Sequence, residues 1–177
     1  MRITPYNMNI TPNTESLFRI AALTHEDMLA SSLTLPLEIL TGAAQALGRA
    51  GRQRLSTDCF SQAGGPLTIQ SGLTLATRPL SELTQADLLI VPAIWRQPQR
   101  VLHRHPEQIA VIEQHVGAGG LTISVGSGSF LLAETEHMTG RTMTTHWQWF
   151  DTFAHRYPRV QLELSLIHIS EPTRLEP

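Results

Sequence analysis

The sequence predicts an α/β fold: a doubly wound, mostly parallel sheet with helices on both faces. Three observations carry that prediction. Short apolar, β-branched runs alternate with segments of helical period, the rhythm of βαβ units. Residues 86–94, ADLLIVPAI, form a near-continuous apolar run, the mark of a strand covered on both faces. Residues 121–134, LTISVGSGSFLLAE, read as a short buried strand, a turn on Gly126-Ser127-Gly128 and the apolar start of a helix. In open α/β sheets this corner, at the carboxyl end of a strand, is where ligands and nucleophiles sit.

The bulk numbers fit one such domain. Of 177 residues, 41% are hydrophobic and 16% charged, enough apolar material for a core and too little charge for a disordered chain. The net charge of −2 gives no electrostatic footprint for nucleic acid. The single cysteine, Cys59, forbids an internal disulfide and fits a reducing cytosol. No apolar run approaches the ~20 residues of a membrane helix. The polar first 15 residues lack the apolar core of a secretory signal. They read as a loose leader, and the chain as cytoplasmic with no membrane partner.

Taken in order, residues 17–23 are the first strand, and THEDMLASS is a polar loop. Residues 35–47 place Leu37, Leu40, Ala44 and Leu47 at helical spacing, with Pro36 in a first turn. Gly48 and Gly51 end that helix, with Arg49, Arg52 and Arg54 nearby. Residues 55–61 are a second strand carrying Cys59. Gly64-Gly65-Pro66 is a turn, and residues 67–70 and 73–76 form a hairpin around Ser71-Gly72. Residues 80–83 are a turn or short helix. Residues 86–94 follow as a strand, with Pro92 near its end because proline cannot donate to a ladder. The Arg/His-rich stretch 96–104 reads as a solvated basic surface.

Pro106 opens a helix with Ile109, Ile112 and Val116 on one face, stopped at residues 117–120. That glycine segment precedes a strand instead of following one, so the dinucleotide fingerprint fails. At the corner, Gly126 and Gly128 tolerate unusual φ, and Ser127 or Ser129 can cap the helix. Residues 142–145 are a short strand and 148–156 a helix bearing Trp149, Phe150 and Phe153. Residues 160–164 are a last strand.

At and after the corner, SVGSGSFLLAE and GRTMTTHWQWFDTFAHRYPRVQLE resemble the ThiJ/PfpI branch of the class I glutamine amidotransferase-like superfamily. The closer likeness is to the N-terminal domain of AraC-type transcription regulators that carry such a domain. TTHW, followed by the aromatic helix and RYP, is the most specific part, and the resemblance covers residues 17–163. It implies a flavodoxin-like sheet. Catalytic members use an elbow cysteine, a histidine about twenty residues on, and often an acidic residue after the first strand. The first two places hold Gly126 and His146; the acidic place falls near Ser32, with Glu26 and Asp27 a little upstream. Ser127 is no substitute, since Val125 and Ser129 stand where a G-x-S-x-G elbow needs glycines.

The expectation is therefore no catalytic residue, no metal and no cofactor. In their place stands a ligand pocket of Ser32, Gly126, Ser127, Gly128, His146 and Trp147. The resemblance implies a sensor that dimerises, takes an unknown small-molecule effector, and reaches DNA only through a helix-turn-helix domain absent from this chain. The alternative is a hydrolase, amidase or hydratase of the same superfamily with an unrecognised nucleophile. His103 and His105 read as part of a solvated loop, since no Cys, Asp or Glu stands at ligand spacing. Cys59 reads as a small buried thiol. Phe150 and Phe153 belong to the core.

The segment 164–177, LSLIHISEPTRLEP, loses the family's pattern and looks like translated adapter or vector sequence; the alternative is a native, divergent C-terminal strand, LELSLIHI, pairing at a sheet edge. The sensor domain, residues 16–163, would then be truncated. An unpaired strand edge or an exposed apolar face is expected where the missing element packs.

Overall fold

A computed structural model of the chain describes residues 16–48 and 53–164. The leader, Arg49, Gly51, Arg52 and the tail beyond Leu164 lie outside them. The main sheet has six strands: β1 (Ser16–Leu23), β2 (Gln53–Ser61), β3 (Gly65–Thr68), β4 (Thr74–Pro79), β5 (Leu88–Val91) and β6 (Leu121–Ser124). Their order is β3-β4-β2-β1-β5-β6. All neighbours run parallel except the β3–β4 hairpin. The predicted doubly wound architecture is the observed one.

The period-two alternation of the central strands divides the core into two layers. Ile20, Ala22, Leu88 and Ile90 turn to one face and meet Leu33 of α1 (Ala30–Gly48). Ala21, Leu23, Leu89 and Val91 turn to the other. There they meet α2 (Pro98–Arg104), α3 (Pro106–Gly117), α4 (Ser129–Ala133) and α5 (Phe150–Arg156) through Val101, Ile112, Phe130 and Phe153. β5 is buried along its whole length, as its apolar run requires. Pro92 falls just past its end.

Several elements depart from expectation. α1 starts five residues before the predicted Leu35, so Pro36 lies inside the helix and Ser32 in its first turn. A helix, α2, occupies most of the stretch expected to be a solvated surface. Pro98, Val101 and Leu102 are buried, because its basic residues fall on one side and its apolar ones on the other. His105 is buried between α2 and α3, so the solvated-loop reading fails for it.

The sequence predicts β6 as a buried strand. It is half exposed and lies at the sheet edge, pairing only with β5 among the described residues. The last strands, β7 (Thr142–Met143) and β8 (Gln161–Leu162), do not join the main sheet. They form a two-stranded parallel sheet of their own. Among the described residues no helix is long and apolar enough to cross a membrane.

Candidate functional site

The corner after β6 is a 3-10 turn, Gly126–Gly128, running into α4. Its two glycines serve different physical ends. Gly126 has φ +49°, the left-handed region that favours glycine. A Cβ there would meet only Ala93 Cβ at 3.6 Å and His146 Cβ at 4.0 Å, so the space for a side chain exists. Gly128 has an ordinary helical φ of −60°, against the expectation of an unusual one. It is needed because a Cβ would lie 2.5 Å from Pro92 O and 2.6 Å from Val91 O.

Neither serine caps α4. Ser127, 3% exposed, donates its hydroxyl to Ile94 O at 2.8 Å and accepts from Ile94 N–H at 2.9 Å. Both capacities of the hydroxyl are engaged in tying the corner to the end of β5. Ser129 donates to Thr145 Oγ1 at 2.8 Å, tying α4 to the segment before His146. The segment after β5 engages Ser127 and Thr145 engages Ser129, so neither hydroxyl is left for the cap.

The structure brings three of the six expected pocket residues together. Ser32 accepts from Ala93 N–H at 2.8 Å and donates to Leu29 O at 2.6 Å. The Cβ atoms of Ala93 and His146 both border the space over the α-carbon of Gly126. His146 is exposed, and its Nδ1 accepts from Gln148 N–H at 3.3 Å. Trp147 follows at 77% exposure, its ring 5.5 Å from that of His146. It stands out from the corner. Ser127 and Gly128 are buried behind the site, where they hold the backbone in place.

Ala93, Ile94 and Trp95 form a wall of the site that sequence reasoning did not assign. The available signal was their position just past the carboxyl end of a central strand. A cavity of about 600 Å³ runs along the outer edge of β6, lined by Ile123, Ser124, Leu132, Met143 and Thr144, and reaches Gly126. Among the six expected residues, Gly126 alone lines it.

Cys59 sits half-buried on β2, where burial first, and the Asp58 carboxylate second, push its thiol pKa up. Such a thiol is a poor nucleophile. No group of three or more His, Cys, Asp or Glu side chains among the described residues could hold a metal ion.

No protein-family model matches the chain. The chain is 28% identical over 115 residues to the HTH-type transcriptional regulator CdhR of Pseudomonas aeruginosa, covering 64% of this chain and 33% of that protein. It therefore spans about a third of the length of the curated relative it matches. The crystal structure of an AraC family transcriptional regulator from Pseudomonas putida superposes with a TM-score of 0.69 at 20% identity, over 84% of this chain and 77% of that one. A ThiJ/PfpI domain protein from Brachyspira murdochii superposes with a TM-score of 0.61 at 12% identity, over 84% and 79%. The fold is thus the flavodoxin-like fold of ThiJ/PfpI proteins, shared with regulators of the AraC family.

Proposed function

We propose that this chain is the non-catalytic, ligand-sensing and dimerising part of an AraC-type transcription regulator, acting in the cytoplasm. It holds a small-molecule effector at the elbow, around Ser32, Ala93, Gly126, His146 and Trp147. It reaches DNA through a helix-turn-helix domain elsewhere in a longer protein, of which residues 16–163 are a piece. The likeness to CdhR supports the regulator class.

The observation that carries the reading is the elbow itself. Its backbone keeps the left-handed turn at Gly126, yet the position has no side chain. The neighbouring hydroxyl is locked between Ile94 N–H and O. Covalent catalysis needs an activated nucleophile beside a base; this corner offers space and a histidine, His146, but no side chain at the nucleophile's place.

Thermal shift against a panel of small metabolites, run beside ester and amide hydrolysis assays, tests it. Stabilisation by one metabolite without turnover is the expected outcome; a ligand at 100 times its Kd adds about 2.7 kcal/mol. Turnover lost in Ser127→Ala while the variant remains folded at the assay temperature would favour the hydrolase reading. The Gly126→Cys variant is expected to take up a thiol reagent at the elbow, because its Cβ fits the space available.

A further inference from the structure

Behind the wall of the elbow, the turn that follows β1 closes over two buried histidines. His25 is 1% exposed and His105 is 7% exposed. Their ring centroids lie 5.3 Å apart, tilted by 34°. Among the described residues, neither ring nitrogen of His25 has a hydrogen-bond partner. His105 sets Nδ1 3.3 Å from Glu107 and Nε2 3.6 Å from Glu26. Asp27, on the same turn, takes Gln70 Nε2 at 3.1 Å and lies 3.5 Å from Arg104. From α3, Gln108 donates to Thr24 O at 3.0 Å and holds the turn shut.

The other side of this turn carries the elbow. Asp27 O accepts from Trp95 N–H at 2.6 Å, and Leu29 N–H donates to Ala93 O at 2.9 Å. Met28 bridges Ile94 between these two bonds, and Ile94 holds Ser127. A charge on His25 would be a buried cation with a second histidine beside it and no acceptor on either nitrogen. A buried ionised group of that kind is strongly disfavoured. The turn must swing outward before the ring can be hydrated and charged.

We propose that the His25–His105 pair is an acid-triggered latch: proton uptake by His25 releases the 24–29 turn and, with it, the Ala93–Ile94–Trp95 wall of the elbow. The latch stands on this geometry whether or not the elbow takes a ligand. Burial first, and the neighbouring His105 second, push His25 down from 6.5 to about 3, with Asp27 pulling the other way. Below pH 6.5 the open turn binds a proton that the closed turn does not. The opening constant therefore rises about tenfold for each pH unit, down to about pH 3.

Amide hydrogen exchange on the 177-residue chain between pH 7.5 and 4.5, corrected for intrinsic rates, tests the latch. Exchange at residues 24–29 and 93–95 is expected to rise about tenfold per pH unit below 6.5, while β1 and β5 stay protected. In His25→Phe, or in His25→Gln should Phe not fold, that rise is expected to vanish. An equal rise in the variant, no rise in the wild type, or a rise only together with β1 and β5 would overturn the proposal. If neither variant folds, NMR of the His25 ring in the wild type decides. A ring neutral until the turn opens supports the latch, and a ring that titrates near 6.5 with the turn closed refutes it.

Discussion

Ser127 shows how one hydroxyl can serve two backbone partners at once. It satisfies the N–H and the C=O of Ile94 at once, joining the elbow to the end of β5. Removing it strands two backbone groups in a site that is 3% exposed at Ser127. Ser127→Ala is therefore expected to lower stability by about 1–3 kcal/mol, read by urea denaturation. The two elbow glycines should respond differently to the same change. Gly126→Ala meets no close atom and carries the left-handed φ cost of roughly 1–2 kcal/mol. Gly128→Ala drives a methyl group into the carbonyls of Val91 and Pro92. Its cost is expected at the upper end of the ~1–3 kcal/mol of overpacking, or beyond it. Equal losses in the two variants would contradict the close approach of β5.

Among the elements, α4 and α5 are clamped to each other. Phe130 and Phe153 meet edge to face at 5.0 Å. Tyr157, just past α5, donates its hydroxyl to Glu134 Oε1 at 2.5 Å, and Arg156 reaches the same carboxylate oxygen at 2.7 Å. Burial first, and the Glu134 hydrogen bond second, push the Tyr157 phenol well above its usual range. Tyr157→Phe keeps the ring packing and loses a hydrogen bond to a charged group that is only partly buried. A loss of about 1–2 kcal/mol is expected by denaturation, with α5 exchanging its amides faster than β5. This clamp positions the segment that carries His146, so the elbow depends on it without touching it.

At the scale of the molecule, the two faces of the sheet are unequally covered. Four helices pack on one face, and α1 alone packs on the other among the described residues. A helix is about 10 Å across and strands lie about 4.8 Å apart, so one helix shelters about two strands. The register pairs Leu88 with Leu121 and Ile90 with Ile123. Leu121 and Ile123 therefore sit on the α1 face, at 61% and 39% exposure, on the outermost strand of the described sheet. Leu35 and Ile39 of α1 are exposed as well. Among the described residues, the outer edge of β6 is unpaired and these four side chains form an exposed apolar face beside it. Such a surface promotes self-association. Ile123→Lys combined with Ile39→Lys is expected to reduce it in sedimentation and dye-binding measurements. Stability should change by no more than about 0.5 kcal/mol per site, as for exposed positions generally.

By itself the sequence determined the parallel α/β architecture, because β-branched runs and helical periods are local patterns that survive any packing. The run at residues 86–94 announced the buried strand β5, and GSG announced the elbow. The amphipathic α2 escaped notice because Arg and His dominate its composition while three apolar residues decide its burial. The rest required the tertiary structure. Whether Ser127 faced a ligand or the backbone of Ile94 depended on how closely β5 approaches the corner. Whether His105 lay in solvent or against His25 depended on a turn 80 residues upstream in the chain. Whether β6 was central or at the edge depended on which strand reached its far side. These are long-range contacts, and the spacing of residues along a chain carries no record of which distant surface will meet them.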